Sequence, residues 1–308
     1  MNNLIRVLNF DNSLFNQKRL LAFYEPEIID LFDLGPKARL WMNRHVKDAI
    51  EARIQKNSIS KINLFGSGDF HHITNILLNQ IKDDFSLIVF DFHPDWDILP
   101  PRYGCGSWIT EALRNKRLKK CILLGIASED ISNWNIQAGN LSSLKNNRLE
   151  IYPYQHAPTN VYLRRVPENV SLEKQKGSFC SKVIWKELRT KVLADFILAL
   201  VKQIPTKKVY ISIDKDCLRK EYAITNWEEG LLSLEQLLQA LKIIKDNSEI
   251  IGLDITGEYS PISVSGKFKG ILSRLDHPKK NFADSLNIAA ISEINERTNL
   301  KILDLVTA

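Results

Sequence analysis

The sequence predicts an α/β fold, a three-layer α-β-α sandwich in which helices cover both faces of a mostly parallel sheet. Short β-branched runs alternate with longer stretches of helical periodicity along most of the 308 residues, as expected for repeated β-α-β units. Apolar runs such as SLIVF and KVYISI are nearly continuous, which is typical of strands buried on both faces. Because no repeat, low-complexity tract or linker divides the sequence, we expect a single domain over residues 1–308.

Strands and helices are predicted in alternation along the chain. The strands fall on apolar runs at 62–65, 87–90, 121–125, 149–154, 209–213 and 250–255. The helices fall at 36–55, 72–82, 107–117, 185–203, 234–245 and 282–297. Pro36 suits a first helical turn, and Ser233 suits the N-cap of the helix that follows it. Segment 128–182 is the least periodic, with one convincing strand, and is predicted to form an inserted lobe or long loops.

Composition and charge exclude several classes of protein. Lysine and arginine number 42 against 36 aspartates and glutamates, and the richest basic stretch, residues 114–120, has no interleaved aromatic residues, which argues against nucleic-acid binding. The four cysteines form no C-x-x-C pair, and no apolar run approaches the length of a membrane span. We therefore expect a cytoplasmic protein that acts on a small molecule, as a monomer or a homo-oligomer.

Glycines, an acid and two histidines follow the first predicted strand, in the segment FGSGDFHH. Gly68 allows the backbone to approach a ligand closely, but the segment has neither the Gly-Lys-Ser/Thr of a phosphate-binding loop nor a dinucleotide fingerprint. Asp69, His71 and His72 are either site residues or cap and surface residues. Of the two histidines, we choose His71 as the candidate ligand.

The second cluster directly follows a strand that is predicted to be fully buried. Asp91, His93 and Asp95 stand at i, i+2 and i+4, so in an extended chain their side chains share one side. Two carboxylates and an imidazole beside apolar residues are costly to bury without a compensating cation. The cluster therefore indicates a metal site, and the alternative is a loop of solvated acids.

The third cluster, Asp214 and Asp216, follows another apolar strand, and the carboxyl ends of parallel strands lie at the edge where ligands bind. The clusters together predict a formal ligand charge of −4, which two divalent cations would balance. Oxygen-rich ligands with some imidazole favour Mn²⁺, and Fe²⁺, Co²⁺ or Zn²⁺ remain alternatives. The six candidate metal ligands are His71, Asp91, His93, Asp95, Asp214 and Asp216. Such two-metal centres activate water for hydrolysis.

These motifs resemble those of the arginase and agmatinase (ureohydrolase) superfamily, which shares its fold with histone-deacetylase-type enzymes. The resemblance covers roughly residues 60–262: Gly68-Asp69 and a nearby histidine are similar to the family's GGDH, residues 91–95 to its D-x-H-x-D, and residues 212–216 to its S-x-D-x-D. It implies a metal-dependent hydrolase of C–N bonds. It also implies that Asp91, which we count among the catalytic residues, and Asp214 bridge the two ions.

A fourth match is the segment GLDITGEYSP, which resembles the family's D-x-x-E-x-N-P. The resemblance implies that Glu258 receives a substrate guanidinium, although one extra residue separates it from Asp254. The alternative is a strand-end carboxylate in a turn that begins at Gly257.

Two departures from the family concern catalysis and substrate. Cys105 stands before Gly106, where the family has its proton-shuttling histidine, so it is either a catalytic thiol or a small packed side chain. Arg219 and Lys220 stand where an Asp-Pro follows the D-x-D motif, so the arginase substrate is not carried over.

The leading hypothesis is therefore a two-metal hydrolase that cleaves a C–N bond in a guanidino or amide compound. One alternative is a deacetylase-like amidohydrolase, but single-metal deacetylases need fewer acids than this sequence offers. A metallophosphoesterase is disfavoured because the Gly-Asp element precedes the D-x-H element. The other alternative is a non-catalytic, metal-stabilised binding or regulatory module.

Overall fold

In the computed structural model of the chain, which describes residues 4–57, 60–176, 180–276 and 288–308, eight parallel strands form the main sheet. Eleven strands are present among these residues: β1 Ile5–Asn9, β2 Glu27–Asp30, β3 Ile62–Phe65, β4 Phe85–Phe90, β5 Leu118–Leu124, β6 Leu149–Tyr152, β7 Thr159–Val161, β8 Leu172–Lys176, β9 Ser181–Trp185, β10 Lys208–Asp214 and β11 Glu249–Thr256. The main sheet has the order β2-β1-β3-β11-β10-β4-β5-β6, and β7-β9-β8 form a small antiparallel sheet.

Helices cover both faces of the main sheet. They are α1 Lys18–Tyr24, α2 Gly35–Ala38, α3 Arg44–Gln55, α4 Thr74–Leu78, α5 Trp108–Ala112, α6 Leu193–Gln203, α7 Leu234–Asn247, α8 Lys267–Asp276 and α9 Ile288–Thr307. Leu87 and Val89 of β4 pack in one core with α3, α4 and α5, whereas Ile88 and Phe90 pack in the other with α6, α7 and α9. This alternation is the geometry of a strand with two buried faces, and it confirms the predicted α/β sandwich. No helix among the described residues is long and apolar enough to span a membrane.

All six predicted strands are present, with boundaries within a few residues of those expected. The predicted helix at 36–55 is two helices, α2 and α3, and Asn43 caps the second by accepting a hydrogen bond from the Val46 amide at 3.0 Å. The helix predicted to begin at residue 185 begins at Leu193, because residues 181–185 are a strand. The predicted start of the last helix, residues 282–287, lies outside the described residues.

Segment 128–182 contains more regular structure than expected. The prediction of one strand there is wrong, because β6, β7 and β8 lie within the segment and β9 begins there. Strand β8, with the sequence LEKQK, is polar and has exposed side chains at Glu173, Lys174 and Gln175. An edge strand with such side chains has no apolar run by which to recognise it.

The strand order decides where the site forms. Strands β3, β11, β10 and β4 are consecutive neighbours, and all of them run parallel. The segments that follow β3, β4 and β10 carry the three acidic and histidine clusters of the sequence. Because parallel strands end at the same edge, the three clusters meet there.

Candidate metal centre

His71 lies among three carboxylates. A 3₁₀ turn at Gly68–Ile73 follows β3 and directs its imidazole towards the ends of β4 and β10. Its Nδ1 atom is 3.0 Å from Asp91 Oδ2, 3.3 Å from Asp95 Oδ2 and 3.7 Å from Asp214 Oδ2. These four side chains are at least 90% buried, so they form a compact group of possible ligands.

His93 forms a second group on the other side of Asp91. Its Nδ1 atom is 3.0 Å from Asp216 Oδ2 and 3.9 Å from Asp91 Oδ1. Its Nε2 atom is 3.2 Å from Glu228, a contact that the sequence motifs did not predict. The structure thus brings all six predicted ligands together.

Asp91 belongs to both groups. Its Oδ2 atom faces His71 and its Oδ1 atom faces His93, and in each group the candidate ligand atoms lie within 4.8 Å of one another. A carboxylate that presents one oxygen to each of two ligand sets has the geometry of a bridge between two cations.

Hydrogen bonds select one tautomer of the neutral His71 imidazole. Ser212 Oγ donates to Asp254 at 2.6 Å, so at its 2.8 Å contact with His71 Nε2 it acts as the acceptor. In the neutral imidazole the proton is therefore on Nε2, and the lone pair of Nδ1 is free to bind a cation that lies between it and the three carboxylates. A histidine ligand whose other ring nitrogen is held by a hydrogen bond in this way is typical of protein metal sites.

Trp108 supports the same group from α5. Its indole Nε1 donates to Asp95 Oδ2 at 2.7 Å, and its ring lies 4.6 Å from that of His71. No sequence motif indicated this residue, although its place after Cys105-Gly106-Ser107 sets it beside the site.

Burial and the neighbouring charges shift the pKa values of the group. Burial opposes protonation of His71, yet the nearby carboxylates of Asp91 and Asp95 raise its pKa well above the usual value. Burial, followed by repulsion from Asp216, raises the pKa of Asp214 to about 7. His71 Nδ1 and Asp91 Oδ2 are buried and make no hydrogen bond with any described residue. These residues therefore fit a pair of divalent cations.

A cavity of about 340 Å³ opens onto the cluster. Cys105 lies in its wall, together with Trp41, Trp227 and the carboxylates of Asp97 and Asp130. Burial, with a smaller effect of Asp130, raises the pKa of Asp97 to about 6. A small molecule in this cavity reaches Asp91, His93 and Asp216 directly.

Glu258 does not line the cavity. Its carboxylate forms a buried ion pair with Lys215, which lies between Asp214 and Asp216, and accepts hydrogen bonds from Asn295 at 3.0 Å and Asn299 at 2.7 Å. The backbone turns at Gly257, where φ is 85°, so the extra residue of this segment sends Glu258 towards α9. The substrate-binding role that the resemblance implies for Glu258 does not fit this position.

His72 is turned away from the metal-ligand groups. Its side chain is buried and lines a separate cavity of about 230 Å³ with Tyr103 and Glu111. Burial lowers its pKa to about 3, so it is uncharged at neutral pH.

Solved structures share this architecture. A putative agmatinase from Clostridium difficile superposes with a TM-score of 0.54 at 12% identity, covering 98% of this chain and 96% of that one. Arginase from Bacillus cereus superposes with a TM-score of 0.52 at 12% identity, covering 96% of this chain and 98% of that one. Agmatine ureohydrolase of Thermoplasma volcanium superposes with a TM-score of 0.50 at 15% identity, covering 98% of this chain and 92% of that one. The chain has the arginase fold.

Comparison of the sequence with family models gives no match. An uncharacterized protein of Thermotoga maritima is 30% identical over 204 residues, which are 65% of this chain, and the match spans 59% of that relative's length.

Proposed function

We propose that the protein is a hydrolase with two divalent metal ions, which cleaves a C–N bond in a guanidino or amide compound. The observation that carries this proposal is the position of Asp91, whose two carboxylate oxygens face the Nδ1 atoms of two different histidines. The six candidate ligands of the metal centre, four carboxylates and two imidazoles, are of the type that Mn²⁺ prefers. We therefore propose Mn²⁺ as the metal.

The residues of this site have separate roles in holding the ions and in positioning the ligands. His71 and Asp95 would hold one ion and His93 and Asp216 the other, and Asp91 and Asp214, the bridges that the resemblance implies, would serve both. When bound, such ions lower the pKa of water and polarise a trigonal carbon's substituent. The cavity admits a small substrate, and Cys105 lies in its wall. Ser212 and Trp108 hold His71 and Asp95 in position through hydrogen bonds.

The arginase fold supports the choice of bond. The Thermoplasma protein is described as an agmatine ureohydrolase and the Bacillus protein as an arginase. The chain shares their fold, so we propose hydrolysis of a C–N bond. We propose amides as well as guanidino compounds as substrates, because Glu258, the guanidinium-binding residue that the resemblance implies, is not available to a substrate.

The test is a metal-reconstitution assay. Protein stripped with a chelator is reloaded with Mn²⁺ and screened for urea, ammonia and amine release over guanidino compounds and acetylated amines. We expect turnover that requires metal, and Asp91→Asn should abolish it, because the amide keeps the size of the side chain but cannot bridge two cations. Asp246→Asn, a change of the same charge at an exposed side chain paired with Lys242, is the control and should keep full activity.

The outcomes separate the competing functions. Turnover of acetylated amines alone would favour the deacetylase-like alternative. Two bound ions with no turnover of any compound would contradict the hydrolase and favour a non-catalytic metal-stabilised module, an alternative that Cys105 at the histidine position keeps open. Activity that survives removal of the metal would contradict the proposal altogether.

A further inference from the structure

A carboxylate outside the six candidate ligands contacts one of them. Glu228 lies in the segment 225–230, between β10 and α7, and its Oε2 atom is 3.2 Å from His93 Nε2. The other ring nitrogen, His93 Nδ1, faces Asp216 at 3.0 Å and Asp91 at 3.9 Å. Nδ1 therefore points to the candidate ligands, and Nε2 points to a carboxylate that is not one of them.

The two candidate histidine ligands share this arrangement. His71 also directs Nδ1 to the carboxylates, and its Nε2 atom lies 2.8 Å from Ser212 Oγ. A neutral imidazole that donates from one nitrogen presents a lone pair at the other, so an acceptor at Nε2 leaves Nδ1 for a cation. Glu228 therefore has the same place at His93 that Ser212 has at His71. A carboxylate in this place also raises the basicity of the ligating nitrogen.

His93 depends on such a partner more than His71 does. The His71 side chain is 1% exposed, and the Trp108 ring packs 4.6 Å from it. The His93 side chain is 16% exposed and lines the cavity. Its ring makes T-shaped contacts with Phe92 at 5.0 Å and with Trp227 at 5.3 Å. Because packing encloses the His93 ring less completely, the contact at Nε2 contributes more to its orientation.

The segment that carries Glu228 is held in place by its neighbours. The Asn226 side-chain amide donates to the Ser260 carbonyl at 2.9 Å, and the Ser260 backbone amide donates to Asn226 Oδ1 at 3.0 Å. The Trp227 indole donates from Nε1 to Asp69 at 3.1 Å. These bonds hold the backbone next to Glu228, so its carboxylate has a defined position although the side chain is 49% exposed.

We propose that Glu228 is a positioning residue for metal binding, which accepts the Nε2 proton of His93 and so directs Nδ1 to the ion that His93 and Asp216 hold. The inference rests on the proposed function for the presence of that ion. Glu228 itself contacts neither the ion nor the substrate in this role. Its removal should therefore weaken binding of the ion beside His93 and leave the ion beside His71 unaffected.

Titration with Mn²⁺ against a fluorescent chelator measures the affinity for each ion. Glu228→Ala removes the acceptor, so the affinity for the ion beside His93 should fall about 10- to 100-fold, while the affinity for the ion beside His71 stays at its wild-type value. Glu228→Gln keeps an oxygen that accepts from Nε2 and should lose less than Glu228→Ala. Glu229→Ala is the matched control, because its neighbouring carboxylate is 43% exposed but lies 3.6 Å from Lys220, and it should keep both affinities.

Variants that lack one histidine show whether Glu228 acts through His93. In His71→Ala, which keeps the ligands of the other ion, Glu228→Ala should cause the same loss of affinity as in the wild type. In His93→Ala it should change nothing further, because its partner is absent. An affinity that Glu228→Ala does not change, an equal loss with and without His93, or an equal loss in Glu229→Ala would overturn the inference.

The same variants separate this inference from the proposed function. Wild-type protein that binds a single ion would contradict the two-metal hydrolase. A loss of that ion's affinity in Glu228→Ala that vanishes in the His93→Ala background would still support the inference, and the absence of such a loss would overturn it. Two ions with the expected losses but no turnover would contradict hydrolysis and support the role of Glu228. Circular dichroism of each variant checks that the fold is retained.

Discussion

Replacing Lys215 with methionine should destabilise the protein strongly. The Lys215 side chain is fully buried and pairs with Glu258, which is itself 4% exposed. Methionine has a similar length but leaves the carboxylate buried without its ion partner, a change that costs about 3–5 kcal/mol. Because Asn295 and Asn299 still donate to the carboxylate, we expect a cost of about 3 kcal/mol, the lower end of this range. Urea denaturation, with the same slope for both proteins, measures it.

Two further variants separate the ion pair from packing. Lys215→Met/Glu258→Gln removes both charges and should recover part of the loss, because no unpaired charge remains. Lys208→Met is the control, because Lys208 starts β10, the strand that ends just before Lys215, and its pair with Asp83 is solvent-exposed. This change should leave the free energy of unfolding nearly unchanged. A loss below about 1 kcal/mol for Lys215→Met, or no recovery in the double variant, would refute the reasoning.

Three other substitutions test the surroundings of the site and the fold. Trp108→Phe removes the hydrogen-bond donor to Asp95 but keeps an aromatic ring beside His71. The Mn²⁺ affinity, measured by competition titration, should fall about 10- to 100-fold. An unchanged affinity would contradict the supporting role of Trp108. Cys105→Ser should leave kcat/KM of the metal-loaded enzyme within about tenfold; a loss of a hundredfold or more, with a lost limb of the pH profile, would instead identify the thiol as a proton carrier. Ser233→Ala should lower the free energy of unfolding by about 1 kcal/mol, because Ser233 caps α7 by accepting from the Gln236 amide, and thermal denaturation that shows no change would contradict this role.

The central strands could be predicted because their sequences are apolar on both faces. Strand β10 has the sequence KVYISID, and six of its seven residues are buried in one of the two cores or at the site. Strand β1 was missed although it too is buried, because Arg6 interrupts its apolar run. The guanidinium of Arg6 is buried and donates to Asn63 at 2.9 Å, a partner 57 residues away that no local pattern reveals.

The candidate ligands could be predicted because they follow apolar strands whose carboxyl ends lie at one edge of the sheet. Asp91, His93 and Asp95 follow β4 at alternate positions, and the parallel sheet brings them to Asp214 and Asp216. The pairing of Lys215 with Glu258 could not be predicted, since it depends on the backbone turn at Gly257 and on donors from α9. Both side chains are charged residues of a kind that usually lies at the surface, so the sequence alone favoured a solvent- or substrate-facing role.

The arrangement of metal ions tests the central claim most directly. Crystals of the Mn²⁺-loaded protein, measured at the manganese absorption edge, should show two anomalous peaks about 3.5–4 Å apart, with Asp91 contacting both. One peak should lie beside His71 and Asp95, and the other beside His93 and Asp216. A single peak at full Mn²⁺ loading, or two peaks that do not share Asp91, would contradict the account.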